Sequence, residues 1–200
     1  MTSPARGIQL PAGRAFGVKE HVGAFRAANQ FDITDSSGRV VLHCREPKLG
    51  VFTKMLRFTE YKKNTPFNCE VRDTQGRLVF RVSRGVSLFL STVRVTDAAD
   101  RLVASFHHKI FSIGGRFTIT GPNGVPAGEV RGTWTSFDFA VTFGGRHVAQ
   151  VTKKWRSLGV ELFTSADQYA VVFDDDLADD DPARLLSLAA ALVVDFILKE

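Results

Sequence analysis

The feature that most constrains this fold is a hairpin pattern that recurs from residue 31 to residue 173. Each repeat has a short segment of alternating apolar and polar residues, a turn rich in Gly, Asp or Asn, and a second alternating segment. Alternation with a period of two is typical of a strand with one buried face. The pattern predicts six hairpins, over residues 31–44, 67–82, 92–106, 116–132, 138–151 and 158–173.

The connections between these segments predict the kind of sheet. The predicted turns lie at residues 36–38, 74–76, 98–100, 121–128, 144–145 and near 165–167. Parallel strands need crossover connections of a dozen or more residues, usually helical, and these turns are too short to supply them. We therefore predict about twelve antiparallel strands, arranged as a meander.

The C-terminal segment predicts a helix over about residues 182–198. Asp181 is suited to be its N-cap and Pro182 its first residue. Apolar residues occur on every face, which is typical of a helix that is buried all round or lies in lipid. The apolar run from 185 to 198 has 14 residues, fewer than the roughly 20 of a membrane span. We predict that its core positions include Leu185, Leu188, Leu192 and Phe196.

The strands and the helix together predict the architecture. Twelve antiparallel strands need closure to remove free edges. A barrel of about eight strands is filled by its own side chains, so a larger barrel leaves a hole that a helix about 10–12 Å across would fill. The predicted fold is mainly β: a closed antiparallel barrel of about twelve strands wrapped around the buried C-terminal helix. We expect a short N-terminal arm over residues 1–23 and one domain over residues 24–200.

Composition and charge place the chain among soluble globular proteins. Hydrophobic residues make up 44% and charged residues 24% of the 200 residues. The net charge of +5 combines a basic body, with 24 basic and 11 acidic residues up to 160, and an acidic end, with 2 basic and 10 acidic residues. Basic surfaces attract nucleic acid, anionic lipid and acidic proteins, and charge alone does not choose among them.

Several classes of function are disfavoured by missing motifs. We find no GxSxG, Walker, GxGxxG or HExxH motif, so we expect no catalytic site. Cys44 and Cys69 have no metal-binding spacing, which favours free buried thiols in a reducing cytoplasm. The first twenty residues lack the apolar region of a secretory signal, so we do not expect secretion.

The C-terminal third carries a family resemblance. The motifs are Lys154-Trp155, then Glu161, Phe163, Thr164, Ala166 and Asp167, and finally Val194-Asp195-Phe196 in the apolar helix. Upstream, AANQFDITDSSGRVV, PFNCEVRDTQGRLVFRVSRG and GPNGVPAGEVRGTW agree with the same family. Over residues 24–198 the chain resembles phospholipid scramblases, and HHKIFSIGGRFTITG resembles the LURP-one-related branch of their superfamily. That superfamily includes the tubby C-terminal domain, and the resemblance implies a twelve-stranded barrel around a central helix.

The resemblance implies an activity and also has departures. It implies ATP-independent, bidirectional movement of phospholipids between leaflets. The cysteine-rich, palmitoylated cluster of many scramblases aligns with RGVSLFLSTVRV, which has no cysteine, so acyl anchoring is not expected. The long proline-rich N-terminal arm of animal members is short here.

Calcium is the cofactor that the resemblance suggests. The family's proposed Ca²⁺ segment aligns with residues 165–176, where Asp167 and Asp176 remain and Ser165 replaces an acid. An EF-hand loop needs Gly at its sixth position, and Ala170 stands there in an alternating, strand-like run. The acidic runs 174–176 and 179–181 favour a solvated loop before the helix, with a weak divalent-cation site as the alternative.

Basic residues supply the candidate sites for an anionic partner. The candidates are Lys54, Arg57, Lys62, Lys63, Lys153, Lys154 and Arg156. Apolar residues interleave with the first two of these, as in an interfacial loop, although a half-buried strand or helix would show the same pattern.

The leading hypothesis is a scramblase-like protein that contacts anionic phospholipids. The alternatives are a soluble binding module for headgroups such as phosphoinositides, or a protein-interaction domain. We expect a cytoplasmic monomer, peripheral at the inner face of the plasma membrane, without a nucleic-acid partner. Asp195, inside the apolar helix, is expected near a barrel end or bonded to a strand, because an isolated buried carboxylate is unfavourable; ion coupling is the alternative.

Overall fold

The computed structural model describes residues 10–21, 30–47, 66–85, 92–108, 115–153 and 168–198. In these ranges the chain forms twelve β-strands and one helix, α1, which spans Pro182–Leu198. The strands are β1 (Ala15–Glu20), β2 (Gln30–Thr34), β3 (Val40–Arg45), β4 (Phe67–Asp73), β5 (Leu78–Arg84), β6 (Thr92–Asp97), β7 (Leu102–His108), β8 (Gly115–Thr120), β9 (Pro126–Thr133), β10 (Asp138–Phe143), β11 (Arg146–Thr152) and β12 (Gln168–Phe173).

The strands form one closed barrel. Each strand pairs antiparallel with the next strand in the chain, and the first strand, β1, pairs antiparallel with the last, β12. In that closing pair Ala15 lies opposite Val172, and Lys19 lies opposite Gln168. Closure removes the free edges that would otherwise expose unpaired backbone groups. The predicted fold, a closed antiparallel barrel of about twelve strands, is confirmed.

One strand of the barrel lies where the sequence analysis places an arm. β1 falls inside residues 1–23, so the barrel begins at Ala15. The period of two is hidden here because both faces of β1 are buried: Ala15, on the outer face, and Phe16, on the inner face, are each at most 1% exposed. The first strand of the predicted sixth hairpin, residues 158–167, lies outside the described residues.

The fourth hairpin turn is shorter than predicted. The sequence predicts a turn over residues 121–128, whereas strand pairing resumes at Pro126, opposite Thr120. Two bonds close the turn early: the Gly121 N–H donates to the Val125 carbonyl at 2.9 Å, and the Val125 N–H donates to Asn123 Oδ1 at 3.2 Å. The three last residues of the predicted turn therefore belong to β9.

Helix α1 occupies the lumen of the barrel. No residue from Leu185 to Phe196 is more than 9% exposed, and the predicted core positions 185, 188, 192 and 196 are at most 4% exposed. The Phe196 ring lies 5.4 Å from that of Phe31 on β2 and 4.8 Å from that of Phe67 on β4. Burial on all sides explains why the helix has no polar face. Within the described residues, no helix combines the length and hydropathy needed to cross a bilayer.

The start of α1 is capped as the sequence predicts. The Asp181 carboxylate accepts a hydrogen bond from the main-chain N–H of Ala183 at 2.8 Å, and Pro182 occupies the first helical position. An acidic N-cap satisfies a free N–H group and complements the helix dipole.

The two ends of the barrel differ in their connections. We call the end with the tight turns between β2 and β3, β4 and β5, β6 and β7, β8 and β9, and β10 and β11 the turn end. The opposite end, where the other strand connections are made, is the loop end. β12 finishes at the turn end, so α1 enters the lumen there and runs to the loop end, where Phe196 meets the first residues of β2 and β4.

Candidate functional site

Three turns at the turn end share one sequence pattern and one geometry. They are DSSGR at 35–39, DTQGR at 73–77 and DAADR at 97–101. In the third, one oxygen of Asp97 accepts the N–H groups of Ala99 and Arg101, each at 2.9 Å. The other oxygen accepts the Arg101 guanidinium at 2.7 Å. Each turn thus neutralises its own carboxylate with the arginine that ends it.

The pKa values of these carboxyls reflect the pairing. The Ser37 hydroxyl, followed by the Arg39 groups, holds the pKa of Asp35 below its usual value. Burial raises the pKa of Asp97, but the N–H and guanidinium bonds from Arg101 outweigh it, and the net direction is downward. Asp35 and Asp97 therefore remain ionised, so their arginine partners offer little charge to an external anion.

The acidic segment before α1 is also paired with basic side chains. Asp174 bonds the imidazole of His147 at 2.8 Å, and Asp175 bonds Arg14 at 2.8 Å. Asp176 pairs with Arg146 at 2.5 Å. The carboxylates thus face the first residues of β11 and the segment before β1, and they join these elements across the turn end.

Arg184 closes the turn end from inside. Its side chain is 3% exposed, and its guanidinium donates to the carbonyls of Pro11 and Gly13 at 3.2 and 2.7 Å. The guanidinium carbon lies 4.3 Å from the centre of the Phe173 ring, and Asp179 accepts from it at 3.0 Å. Burial lowers the pKa of Arg184, but two neighbouring aspartates oppose this effect.

The loop end carries an aromatic cluster under a lysine. Phe137 adopts a positive φ of 46°, which is rare for a bulky residue, and its ring packs 4.9 Å from Tyr169. The ammonium of exposed Lys153 lies 5.3 Å from the centre of the Phe137 ring. Half-buried Trp134 packs nearby against Phe139, with ring centres 5.6 Å apart. This part of the loop end combines an exposed positive charge with a half-buried Trp134 above a buried aromatic cluster.

Ion pairing separates the basic residues into two groups. Those paired with a carboxylate are Arg14, Arg39, Arg45, Arg72, Arg77, Arg81, Arg101, Arg116, Arg131, Arg146 and Arg184. Lys19, Arg94 and Lys153 are exposed and form no ion pair with any described residue. Lys153 follows β11 at the loop end, and the other two lie within two residues of the loop-end limits of β1 and β6.

An outer-wall cluster joins β1, β2 and β3 near the same end. The Asp32 carboxylate bonds His21 at 2.6 Å and His43 at 2.8 Å, and it also accepts the Arg45 guanidinium. Burial raises the pKa of Asp32, but these bonds outweigh it and lower the pKa to about 2. Asp32 therefore stays ionised and holds three basic side chains together.

Comparison with known proteins assigns the family. The Scramblase family model matches residues 12–200, nearly the whole chain. This chain belongs to the Scramblase family. The altered inheritance rate of mitochondria protein 25 of Saccharomyces cerevisiae is 25% identical to it over an alignment of 193 residues. The match covers 82% of this chain. The chain spans only 58% of that relative's length.

A solved structure supports the fold of this Scramblase-family chain independently. The crystal structure of a protein from Arabidopsis thaliana superposes with a TM-score of 0.52, covering 92% of this chain and 93% of that one. Sequence identity is 18%, so this likeness concerns the fold alone.

For a Scramblase-family chain, the calcium segment is of particular interest. Asp167 lies outside the described residues, and Asp176 is engaged by Arg146, whose charge opposes a cation. The segment between them continues as β12, an extended strand that cannot wrap an ion. No three His, Cys, Asp or Glu side chains in the described ranges are arranged to hold a metal. The described residues therefore do not fit a Ca²⁺ site, and calcium binding stays a prediction.

The predicted anion-binding residues lie mostly beyond the described ranges. Lys54, Arg57, Lys62, Lys63, Lys154 and Arg156 lie outside the described residues. Lys153 is described and is exposed at the loop end. The other candidates belong to residues 48–65, between β3 and β4, and to residues 154–167, between β11 and β12. The ends of these four strands that border the two segments lie at the loop end.

Asp195 is buried near the loop end of the lumen. It is 1% exposed, and it forms an interaction within the structure. Its neighbour Tyr169 donates a hydrogen bond to the Ala191 carbonyl at 3.4 Å. Burial, followed by the charge of Asp195, raises the pKa of Tyr169 well above its usual value. The position agrees with the expectation that Asp195 lies toward a barrel end.

Sequence reasoning missed the unpaired Arg94 and the Asp32 cluster. The alternation of β2 and β3 does place Asp32 and His43 on the outer face, and this signal was readable. Which outer residues become neighbours depends on strand register, which the alternation does not specify.

Proposed function

We propose that this Scramblase-family chain binds anionic phospholipid surfaces through the loop end of its barrel. The unequal pairing of charge between the two ends carries the proposal. Turn-end carboxylates are matched by arginines and a histidine, whereas Lys19, Arg94 and Lys153, which form no ion pair with any described residue, lie at or near the loop end. Unpaired cations contribute about 1 kcal/mol each beside an anionic leaflet.

Aromatic residues at the loop end support the same orientation. The ring of Phe137 lies beside the ammonium of Lys153, and half-buried Trp134 packs against Phe139, which also contacts Phe137. Trp side chains favour the headgroup region, and Lys side chains beside them contact phosphates. Residues 48–65, whose bordering strands end here, contain five basic residues, one acidic residue and several large apolar residues.

We further propose that the protein moves phospholipids between leaflets while α1 stays in the barrel. Membership of the Scramblase family supports the activity. Burial of α1 on all sides and the contacts of Arg184 with residues 11–13 and β12 support a helix that remains in place. Lipid movement would then follow from distortion of the bilayer beneath the loop end.

A vesicle experiment tests the binding proposal. The purified protein is sedimented with phosphatidylcholine vesicles that contain or lack phosphatidylserine, at low and high salt. We expect binding only to the anionic vesicles, and loss of binding at high salt. Lys153→Gln should weaken binding about fivefold, whereas Arg146→Gln, an equal charge change at the turn end, should leave it within twofold. Equal effects of the two substitutions would reject the orientation.

A second assay separates transport from binding. Protein is reconstituted into vesicles that carry a fluorescent phospholipid, and the fraction of lipid accessible to an external quencher is followed with and without Ca²⁺. Accessibility that rises beyond the outer leaflet without ATP supports scrambling. Salt-sensitive binding without any such rise would instead support a soluble module for anionic headgroups. Absence of both would leave a protein-interaction domain.

A further inference from the structure

Arg94 lies among hydroxyl side chains on the outer wall of the barrel. In the register of the sheet, Ser83 of β5 and Ser105 of β7 are its direct partners on either side. Thr120 of β8 lies opposite Ser105 and extends the same row. Directly opposed side chains on one face of a sheet have Cβ atoms about 5 Å apart. The side chain of Arg94 therefore leaves the sheet between those of two serines.

The neighbouring row is built around a histidine that is held in place. The Nδ1 atom of His107 bonds the Thr92 hydroxyl at 3.2 Å, and its Nε2 atom bonds the Thr120 hydroxyl at 3.1 Å. Both ring nitrogens are thus engaged, so the orientation of the imidazole is fixed beside the row that contains Arg94. We call Ser83, Thr92, Arg94, Ser105, His107 and Thr120 the Arg94 patch.

Arg94 differs from the other arginines of the described strands whose side chains are exposed or half-buried. Arg45, Arg72, Arg81, Arg116, Arg131 and Arg146 each pair with an aspartate or glutamate. The nearby carboxylates are already occupied: Asp100, which accepts from Thr96 two residues after Arg94, binds Arg81 at 2.6 Å, and Glu70 of β4 binds Arg72 at 2.7 Å. Arg94 forms no ion pair with a described residue, and its cross-strand partners are neutral hydroxyls.

We propose that the Arg94 patch binds a phosphate group. The planar guanidinium donates two parallel hydrogen bonds to phosphate oxygens, a geometry that an ammonium lacks. Half-buried Ser83 flanks it and donates a hydroxyl hydrogen bond to the same oxygens, and Ser105, which is 9% exposed, borders Arg94 on the other side. The patch itself contains no carboxylate, so a phosphate dianion meets no like charge within it.

Two sources of phosphate fit this chemistry. One is a lipid headgroup that ends in a phosphate monoester, which rests on the proposed membrane function because Arg94 lies close to the loop end. The other is a soluble phosphate compound, which does not depend on membrane binding. The shared chemistry is an exposed phosphate with at least two free oxygens.

Two measurements test the patch and separate the sources. In the first, inorganic phosphate is titrated into ¹⁵N-labelled protein, and the amide resonances of Ser83, Arg94 and Ser105 are followed. In the second, sedimentation compares phosphatidylcholine vesicles containing phosphatidic acid with vesicles of equal surface charge containing phosphatidylserine. Both are repeated with Arg94→Gln and with Arg116→Gln, which removes the same charge from a paired arginine.

The expected result is a saturable shift of the three resonances that Arg94→Gln abolishes and Arg116→Gln retains. For a lipid source, Arg94→Gln should also weaken binding to phosphatidic acid vesicles about tenfold and binding to phosphatidylserine vesicles much less. A shift without that vesicle effect supports the patch and rejects the lipid source. No saturable shift, or equal loss in both variants, overturns the proposal. The phosphate titration tests the Arg94 patch even if the protein binds no vesicle.

Discussion

The guanidinium of Arg184 lies over the Phe173 ring at the turn end of the lumen, 4.3 Å from the ring centre. Its bonds to the carbonyls of Pro11 and Gly13 tie the first turn of α1 to the segment that precedes β1. One side chain therefore connects the helix with the two strands, β1 and β12, whose pairing closes the barrel.

Removing this connection should destabilise the protein strongly. Arg184→Ala deletes a buried side chain, its stacking on Phe173 and its bonds to main-chain carbonyls, so we expect the free energy of unfolding to fall by about 2–4 kcal/mol. Asp179→Asn removes only the charge of the ion-pair partner, which is 60% exposed. This substitution should change the free energy of unfolding by less than about 1 kcal/mol. Urea unfolding measures both. Similar losses in the two variants would assign the effect to the ion pair.

Replacing Asp100 with glycine should leave the stability of the turn from Asp97 to Arg101 nearly unchanged. Asp100 adopts φ 64° where the sister turn has Gly76 at φ 80°. Asp100→Gly relieves that strain and loses one exposed ion pair with Arg81, so we expect a net change within about 1 kcal/mol of zero. Gly76→Ala, where a Cβ meets no atom within 4 Å, should cost about 1–2 kcal/mol through the backbone alone. Thermal unfolding compares them, and a larger loss for Asp100→Gly would contradict the strain argument.

Stability should depend on pH through Asp32. Its folded pKa of about 2 lies below the usual value of 3.8. A lowered pKa means that the ionised carboxylate stabilises the fold above about pH 4, and that this contribution is lost as the pH falls toward 2. Between pH 5 and pH 3, the free energy of unfolding of the wild type should therefore fall more steeply than that of Asp32→Asn. Parallel curves from urea titrations would show that the cluster is not coupled to folding.

Burial of α1 can be tested with a matched pair of substitutions. Leu188 is fully buried in the lumen, whereas Val125, in a turn, is 54% exposed. Leu188→Asp should abolish the folded state, because an unpaired carboxylate in the lumen costs several kcal/mol. Val125→Asp should remain within about 0.5 kcal/mol of the wild type. Circular dichroism and gel filtration report the outcome, and a soluble, folded Leu188→Asp protein would show that the helix does not require the lumen.

Local pattern explains what could be predicted about the strands and what could not. Hairpins such as β2–β3 and β10–β11 are predictable from the sequence because one face of each strand is apolar and the turn contains Gly or Asp. β1 is not, because Ala15 and Phe16 are buried on opposite faces and no alternation remains. The fourth turn is shorter than predicted because a main-chain bond from Gly121 to Val125 and the side chain of Asn123 close it early.

The candidate site was predictable only in part. Exposed Lys153 was chosen from its charge, and the structure places it at the loop end beside Phe137. Arg94 was not chosen, because nothing in its local sequence distinguishes it from arginines that are paired. The acidic run from Asp174 to Asp176 could be read as a loop, but its partners His147 and Arg14 lie far away in the chain.

The sequence by itself determined the hairpin strands after residue 30, most of their turns and a helix without a polar face, because each depends on the side chains of a few consecutive residues. Only the tertiary structure decided that Ala15 pairs with Val172 to close the barrel, and that Arg94 stands between two serines while Arg116 meets a glutamate. The physical reason is that cross-strand neighbours are set by register and closure, which combine residues far apart in the chain. Charge pairing, and with it the surface left for an anionic partner, follows from those neighbours.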